Sequence, residues 1–295
     1  MLSILIPVYN YNITALVKDL QHQAMETAVD FEIIVLEDGS TKYLNENNSI
    51  KDLPFIKYEV LSKNIGRSAI RNYLADMAKY DSLLFLDCDA EVNSPLFIQR
   101  YLPFCKTNCV VVGGTAYDPN NNNPKYSLRL KYGRVREART ALEREKHNSF
   151  STFNFLISSE IFKKIRFNEI LNGYGHEDSL FGYELQRTGV TIYQIENSII
   201  HKGLDENSVF LRKSREAAFS LYRLYSSREF SFLVKDSKLL QAFVRVKNWK
   251  MDYFLASIFS ILQSKIEKKL SKKNPSLKLY DLYKLGFICK ISRNK

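Results

Sequence analysis

The first 110 residues alternate short apolar runs with stretches of helical periodicity, and this alternation constrains the fold more than any other feature. Strands are predicted at residues 3–8, 31–36, 57–61 and 82–86. Most of these runs are apolar without alternation, which is typical of strands buried on both faces. Between them, apolar residues recur at helical spacing over residues 13–24 and 70–77. The order predicts an α/β fold with a mostly parallel sheet and helices on both faces.

Acidic residues directly follow two of these predicted strands. They form the segments Glu37-Asp38-Gly39-Ser40 and Asp87-Cys88-Asp89. Ligands of such sheets bind beyond the carboxyl ends of the strands, so both segments are candidate binding sites. Two carboxylates two residues apart can present oxygen ligands to Mg²⁺ or Mn²⁺, which can also hold a diphosphate. The alternative is an aspartate that caps an ordinary turn, because so short a motif also occurs by chance.

The segment from Asn64 to Asn72 opens a predicted helix with Gly66, Arg67 and Arg71. Backbone amides at a helix N-terminus and nearby arginines favour an anion such as a diphosphate. A solvated helix face is the alternative interpretation. Further along, Gly113-Gly114 predicts either a close approach of the backbone to another group or a plain turn.

The middle of the chain combines loops with a charge-rich stretch. An Asn- and Pro-rich loop at 118–124 leads into a predicted helical stretch at 125–147. We interpret its basic residues as a solvated helix face rather than an acceptor lining: Arg129, Lys131, Arg134, Arg136 and Arg139. A strand is predicted at 151–158, a glycine-punctuated loop at 172–175, a helix from Glu177 to Arg187 and a strand at 190–195.

The net charge of +11 at first suggests a nucleic-acid partner, but its distribution opposes that reading. Residues 201–295 hold 21 Lys and Arg against 8 Asp and Glu, whereas residues 1–200 hold 22 against 24. The body of the protein is therefore slightly acidic, and the basic charge belongs to a region that is helical in pattern beyond about residue 204. Nucleic acid is not an expected partner.

Apolar and basic residues interleave in this last region. The apolar ones are Phe254, Ile258, Phe259 and Leu262, and the basic ones are Lys265, Lys268, Lys269, Lys272 and Lys273. Two interpretations stay open: an amphipathic end that faces an anionic membrane surface, or a helical cap on the core with a solvated basic face.

The cysteines and the apolar segments bear on the compartment. The four cysteines form no CxxC pair, as expected for reduced thiols in a cytosolic protein. The apolar start at residues 2–8 is too short for a secretory signal and lacks a basic leader. No stretch reaches the ~20 apolar residues that cross a bilayer. We expect a cytoplasmic location, with peripheral attachment to the inner face of the plasma membrane as an open alternative.

Five segments in order resemble the family 2 glycosyltransferases, which have the GT-A fold. They are residues 3–10, 37–40, 64–72, 86–89 and 175–178, the last reading Gly-His-Glu-Asp. The resemblance covers about residues 1–203. It implies a catalytic domain at 1–204, with a nucleotide-sugar half at about 1–115 and an acceptor half at about 116–204, followed by a basic helical region at 205–295.

The resemblance also implies roles for individual residues. The nucleotide would be bound by Pro7, Tyr9, Asn10, Asp38, Gly66, Arg71 and Asp87. Asp89 is similar to the family's metal ligand, and His201 to a histidine that completes the metal site in some members. Asp178 is similar to the usual catalytic base, with Glu177 nearer the acceptor. Glu37 departs from a commoner aspartate and keeps its charge.

The implied activity is transfer of a sugar, with inversion, from a nucleoside-diphosphate donor, for which the resemblance favours a UDP-sugar. The acceptor would be a hydroxyl of a glycan or lipid-linked molecule, the cofactor Mn²⁺ or Mg²⁺, and the setting bacterial surface-polysaccharide synthesis. Two other classes stay open. A sugar nucleotidyltransferase would usually carry a Gly-rich phosphate loop where this chain has Pro7-Val8-Tyr9-Asn10. A non-catalytic binder of polyanions or membranes would need neither Asp89 nor Asp178.

Overall fold

The computed structural model describes residues 1–147, 150–169, 175–227, 230 and 232–293. The chain divides into two compact units. The first comprises Met1–Asp118, Arg136–Asn172 and Glu177–Gly203, and the second comprises Pro119–Val135, Gly173–His176 and Leu204–Lys295. Residues 119–135, which the sequence analysis assigned to the acceptor half of a catalytic domain, therefore cluster with the C-terminal helices. Most of the predicted loop at 172–175 lies outside the described residues.

The strands belong to the first unit. In the described part of the chain they are β1 (Leu2–Val8), β2 (Phe31–Glu37), β3 (Ile56–Val60), β4 (Ser82–Leu86), β5 (Ala90–Glu91), β6 (Val110–Val112), β7 (Thr115–Ala116), β8 (Asn154–Ser158), β9 (Ile192–Gln194) and β10 (Ile199–His201). Seven of them form a sheet in the order β3-β2-β1-β4-β8-β6-β9. All pairings in it are parallel except those that β8 makes with β4 and β6. The predicted mostly parallel sheet is confirmed.

Helices occur in both units. They are α1 (Thr14–Met25), α2 (Leu44–Asn48), α3 (Arg67–Met77), α4 (Ser127–Tyr132), α5 (Ala141–Lys146), α6 (Ser159–Lys164), α7 (Glu177–Arg187), α8 (Asn207–Ser226), α9 (Leu233–Asp236), α10 (Lys238–Asn248), α11 (Asp252–Leu270) and α12 (Leu277–Ser292). None of the described helices is long and apolar enough to cross a bilayer.

The large sheet is covered on both faces, which explains why its central strands are apolar at nearly every position. Ile4 and Ile6 of β1 lie in the hydrophobic cluster that includes the apolar side of α1. Leu5, between them, points to the opposite face, into the cluster that includes Ile70 of α3 and Phe181 of α7. Successive strand residues alternate between faces, so a strand buried on both sides needs apolar residues at every position.

A second sheet of three short strands, in the order β5-β10-β7, was not predicted from the sequence. β10 pairs antiparallel with β5 and parallel with β7, and this register sets His201 opposite Ala90. Asp89 lies three positions after the end of β4 and immediately before β5. The small sheet therefore brings the chain around residue 201 back to the Asp87-Cys88-Asp89 turn.

The charge-rich stretch at 125–147 is interrupted rather than a single helix. α4 continues into a wide turn of π-helix at Gly133–Glu137, and α5 begins anew with a capping box between Thr140 and Glu143. The prediction of a solvated face is wrong for Arg129, which is 8% exposed and lies 5.3 Å from the centre of the Phe210 ring.

The second unit is helical, as the sequence predicted for the region beyond residue 204. Its two hydrophobic clusters combine residues of α8, α11 and α12, with Leu128 of α4 in one and Phe243 of α10 in the other. Phe259 of α11 is 3% exposed, and a Cβ at Gly286 of α12 would lie only 2.6 Å from its ring. Phe259 is therefore a core residue, and the apolar set in α11 divides between core and surface.

Candidate active site

Glu37, at the carboxyl end of β2, organises the turn that follows it. Its carboxylate is fully buried and accepts hydrogen bonds from the Ser40 hydroxyl, from Asn47 Nδ2 at 2.7 Å and from the Tyr58 hydroxyl at 3.2 Å. Burial, together with this neighbouring carboxylate, raises the pKa of Tyr58. Because a buried charge needs several donors, Glu37 serves to hold the turn in place.

Asp38 connects the end of β2 to the start of α3. Its Oδ1 accepts from the Ile65 amide at 2.6 Å and its Oδ2 from the Gly66 amide at 3.1 Å. The side chain is nearly buried, and burial raises its pKa although the two amide hydrogen bonds act against the rise. Gly39 permits this approach, because a Cβ there would lie 2.5 Å from the carbonyl carbon of Lys63.

The carboxyl end of β1 presents Tyr9 beside this turn. Pro7 is still within the strand, opposite Leu36, whereas Tyr9 is 55% exposed. Asn10 has a positive φ of 53°, and its Oδ1 accepts from the amides of Thr41 and Lys42 at 2.7 and 2.9 Å. Asn10 therefore joins the loops after β1 and β2, which leaves Tyr9 as the exposed flat surface at this edge of the sheet.

Arg71 lies on the side of α3 that faces the Asp87 turn. Its side chain is 3% exposed, its Nη2 donates to Asp87 Oδ1 at 2.7 Å, and its guanidinium lies 5.5 Å from the centre of the Phe167 ring. The Nε atom is buried without a hydrogen-bond partner. A buried guanidinium held in this way is a fixed positive charge that favours an anionic ligand nearby.

Glu177 and Asp178 occupy the first turn of α7. Arg67 Nη1 lies 3.4 Å from Glu177 Oε1, and the Glu177 side chain is 9% exposed. Burial would raise the pKa of Glu177, but Arg71 and Arg67 outweigh it and hold that pKa below its ordinary value. Asp178 is half-buried, and its Oδ1 accepts from the Ser179 amide at 2.7 Å. Glu177 thus pairs with Arg67 of α3 and lies in the field of Arg71.

Asp89 and His201 meet because β10 pairs with β5. His201 Nε2 lies 3.0 Å from Asp89 Oδ2, and a Cβ at Gly203 would lie 2.6 Å from the Asp89 Cβ. Burial raises the pKa of Asp89, but the hydrogen bond and charge of His201, together with the charge of Arg67, make the net shift downward. Asp89 is therefore ionised at neutral pH, as a metal ligand must be.

A second layer of residues orients His201. Its Nδ1 lies 3.2 Å from the Tyr117 hydroxyl, and that hydroxyl donates to Glu137 Oε2. Since the hydroxyl proton is directed at Glu137, the oxygen lone pairs are left to accept a proton from Nδ1. The arrangement turns Nε2 toward Asp89, so that Nε2 donates its own proton to the carboxylate when no cation is bound. A bound cation would take the place of that proton while Nδ1 keeps the other, which is how second-layer residues commonly orient a histidine ligand.

The donor set fits a divalent cation that shares its coordination with a substrate. Asp89 offers a carboxylate oxygen and His201 an imidazole nitrogen, both ligand types that Mn²⁺ accepts. The described residues contain no group of three or more His, Cys, Asp or Glu side chains that would enclose a metal by themselves. A cation held by one or two protein ligands is completed by substrate phosphates and water.

The predicted site residues thus gather at one edge of the large sheet in two connected groups. Arg71 links Asp87 to the Glu177 end of α7, and Asp89, two residues beyond Asp87, meets His201. The sequence analysis missed the contributions of Tyr117 and Glu137. It also gave no role to Gly203. Arg67 stands in the Asn64–Asn72 segment that the sequence singles out as a candidate anion site. Nothing in that segment predicts that Arg67 pairs with Glu177.

The buried network behind Gly113 and Gly114 is structural. A Cβ at Gly113 would lie 2.6 Å from the Asn197 carbonyl oxygen, and one at Gly114 would lie 2.7 Å from Arg144 Cζ. Arg144 is 4% exposed and donates to the carbonyls of Gly113 and Ile195 at 3.1 and 2.6 Å. The close approach predicted for the two glycines therefore occurs, and the neighbours are side chains and backbone of the same unit.

Comparisons with known proteins agree with this architecture. The family described as Glycosyl transferase family 2 matches residues 3–166. The chondroitin synthase of Escherichia coli is 27% identical over 236 residues, which are 68% of this chain and 34% of that protein. The chain therefore spans about a third of the length of this curated relative.

Solved structures show the same fold at low identity. The mannosyltransferase PcManGT from Pyrobaculum calidifontis, in complex with GDP-Man and Mn²⁺, is 12% identical with a TM-score of 0.58, over 99% of this chain and 86% of that one. S. aureus TarS 1-349, in complex with UDP, is 16% identical with a TM-score of 0.51, over 99% and 91%. The predicted GT-A arrangement of sheet and helices is confirmed.

Proposed function

The chain belongs to glycosyl transferase family 2, and from this premise we propose that it transfers a sugar from a UDP-sugar to a hydroxyl of a glycan or lipid-linked acceptor, with inversion. That the protein is a glycosyltransferase follows from the family itself. The observation that carries the rest is the buried Arg71, held by Asp87 beside the Asp89–His201 pair. A fixed positive charge can bind a diphosphate, and the carboxylate and imidazole beside it can bind the cation that accompanies the diphosphate.

The donor would lie along the carboxyl edge of β1, β2 and β4. Exposed Tyr9 offers a face for the base, Asp38 a carboxylate beside it, and Asp87 an acceptor for ribose hydroxyls. Arg71 would contribute a fixed positive charge close to the diphosphate. The uracil base is supported by the UDP complex of the TarS structure, whereas PcManGT was solved with GDP-Man. The choice between these nucleotides is therefore part of the proposal.

Asp89 and His201 would hold the divalent cation, which we propose to be Mn²⁺ or Mg²⁺. When bound, such a cation neutralises negative charge on a leaving diphosphate. The presence of Mn²⁺ in the PcManGT complex supports this assignment. Tyr117 and Glu137 would act on the cation through His201, by keeping its Nε2 turned toward Asp89.

Asp178 is proposed to accept the proton of the acceptor hydroxyl. As the hydroxyl oxygen attacks the anomeric carbon from the face opposite the diphosphate, a new C–O bond forms and the bond to the diphosphate oxygen breaks. The bonding pair leaves with the diphosphate, and the hydroxyl proton passes to the Asp178 carboxylate. Glu177 keeps its charge in the ion pair with Arg67, so it serves to position α3 and α7 against each other.

The proposed setting is the cytoplasmic synthesis of a bacterial surface polysaccharide. A glycan acceptor and a role in bacterial surface-polysaccharide synthesis are supported by the chondroitin synthase relative. All four cysteines are unpaired thiols, which supports a reducing compartment such as the cytoplasm. We also propose that the catalytic domain is 1–204 and that 205–295 form a separate basic helical region.

Donor binding and transfer can be separated experimentally. We expect Mn²⁺-dependent binding of UDP by the wild type, and release of UDP from one UDP-sugar in the presence of a glycan acceptor. Asp178→Asn should bind UDP as the wild type does but lose transfer by at least about 100-fold, because general-base catalysis contributes that much. Glu184→Gln, an exposed carboxylate on the same helix, is the matched control. Loss of UDP binding in Asp178→Asn, or unchanged transfer, would contradict the assignment.

A further inference from the structure

A strip of large apolar side chains is exposed on the second unit, at the end of α10 and along α11. We name it the α11 surface, and its members are Trp249, Met251, Tyr253, Phe254, Ile258, Ile261 and Leu262. Trp249 is 71% exposed and Ile261 is 77% exposed, values typical of charged rather than apolar residues. Within the described residues, no other run of 14 positions exposes as many large apolar side chains. Such a patch usually marks an interaction site.

The α11 surface is distinct from the face by which α11 packs in its own unit. Phe254, Ile258 and Ile261 follow the i, i+4, i+7 spacing of one helix face. The buried residues Ala256 and Phe259 follow a second face, which the hydrophobic clusters of the unit already use. The exposed apolar residues are therefore additional to what the fold of this unit requires.

Lysines continue the same face toward the C-terminus of α11. Lys265 and Lys268 lie seven and ten positions beyond Ile258 and are exposed, so they extend the row begun by the apolar residues. The acidic residues of α11 lie elsewhere: Asp252 is buried, and Glu267 pairs with Arg215 at 2.6 Å. The helix therefore presents apolar side chains followed by positive charge, and no carboxylate on that face.

We propose that the α11 surface docks on an anionic lipid bilayer, with α11 lying in the plane of the interface. An interfacial helix of this kind buries its apolar side chains among the acyl chains while its lysines meet acidic headgroups. Tryptophan at the rim is typical of the headgroup level. The proposal does not depend on which sugar the protein transfers, and it decides between the two interpretations that the sequence left open.

Two other occupants fit the α11 surface less well. A nucleic acid would bind the lysines through its phosphates. It would leave the aliphatic side chains of Ile258 and Ile261 without a suitable contact, because bases are recognised by stacking and hydrogen bonds. A second copy of this chain would set the lysines of each α11 against the apolar end of the other in an antiparallel symmetric contact, or against each other in a parallel one. Either contact opposes association, because the lysines meet no carboxylate on this face.

Trp249 is the only tryptophan of the chain, so tryptophan fluorescence, excited where tyrosine does not absorb, reports on this surface alone. We expect vesicles of phosphatidylcholine with phosphatidylglycerol to shift the emission to shorter wavelength, and brominated lipid to quench it. Vesicles of phosphatidylcholine alone should shift the Trp249 emission much less. Ile261→Ser should weaken binding at least about tenfold, because an apolar side chain no longer leaves water. Lys268→Gln should weaken it about fivefold.

Matched controls come from exposed residues of the first unit. Leu142→Ser, at a leucine that is 60% exposed, and Lys51→Gln should bind vesicles as the wild type does. All variants should keep the circular dichroism spectrum and the UDP affinity of the wild type, so a failure here is distinguishable from a failure of the proposed function.

Three results would overturn the proposal. The first is unchanged emission of Trp249 on addition of anionic vesicles. The second is a shift that appears without lipid as protein concentration rises, together with a dimer in analytical ultracentrifugation, which would assign the surface to a second copy. The third is a shift with RNA or polyphosphate but not with anionic vesicles, which would assign it to a polyanion.

Discussion

Tyr117 is predicted to control metal affinity without touching the metal. The change is Tyr117→Phe, which removes one hydroxyl from a residue that is 7% exposed and keeps the ring that packs edge-on against His201 at 5.7 Å. What is lost is the oxygen facing His201 Nδ1 at 3.2 Å and the hydrogen bond to Glu137. Without that oxygen, the proton of His201 is no longer directed to Nδ1.

The size of the effect follows from the geometry. Loss of a second-layer partner of a histidine ligand typically lowers metal affinity about 10–100-fold. The Nδ1–oxygen separation of 3.2 Å is longer than the ~2.9–3.0 Å of a strong N–H···O bond, which favours the lower end of that range. Water cannot readily replace the hydroxyl, because the His201 side chain is only 12% exposed. We therefore expect Mn²⁺ to bind about tenfold more weakly.

Calorimetric titration of Mn²⁺ in the presence of UDP measures this affinity directly. With diamagnetic Mg²⁺ and UDP bound, the ¹⁵N shifts of His201 should show the proton on Nδ1 in the wild type and a mixture of tautomers in Tyr117→Phe. Tyr193→Phe, at a tyrosine of the same unit that is 46% exposed, is the matched control. If Tyr117→Phe binds Mn²⁺ within about twofold of the wild type, the tautomer reasoning is refuted.

Three further predictions concern stability. Gly39→Ala should lower the free energy of unfolding by about 3 kcal/mol in a urea titration, because the new Cβ would overlap the backbone of Lys63 and Asn64. Gly189→Ala, at a similar positive φ but in open space, should lower it by about 1 kcal/mol. Equal losses in the two variants would contradict the overlap. Glu177 has a lowered pKa, so the stability it contributes is present above its ordinary pKa of 4.5 and lost as pH falls through the folded-state value. The acid branch of the stability profile should therefore be flatter in Glu177→Gln, and an unchanged slope would count against the ion pair. Arg71→Met should lower the free energy of unfolding by about 2–3 kcal/mol, because it leaves the partly buried carboxylate of Asp87 unpaired. It should also weaken UDP binding, and an unchanged UDP affinity would argue against a place for Arg71 at the donor.

The large sheet was predictable because its strands carry their own signal. β1 and β4 are buried on both faces, so all their positions except Ser3 and Ser82 are apolar. The predicted strand at 82–86 agrees with the observed Ser82–Leu86. β5, β7 and β10 were missed because strands of two or three residues have no periodicity. Their pairing is set by the ends of longer elements.

Candidate site residues on strand ends and first helical turns were also predictable, as with Asp38 and Asp89. The residues that orient them were not. Tyr117 and His201 are 84 positions apart and meet only because β10 returns to the sheet edge. For Arg129 the prediction of a solvated side chain was wrong. A basic residue in a charged stretch is usually solvated, but here the ring of Phe210 covers the guanidinium.

Dependence of UDP binding on a divalent cation, and on Asp89, tests the central proposal most directly. Calorimetry of UDP with the wild type should show affinity at least about tenfold higher with Mn²⁺ than with EDTA, because a cation held by Asp89 and His201 would neutralise charge on the diphosphate. In Asp89→Asn this gain should vanish, while Asp52→Asn, at an exposed carboxylate of the same unit, should keep it. Equal UDP affinity with and without Mn²⁺ in the wild type, or an undiminished gain in Asp89→Asn, would contradict the assignment of the metal site.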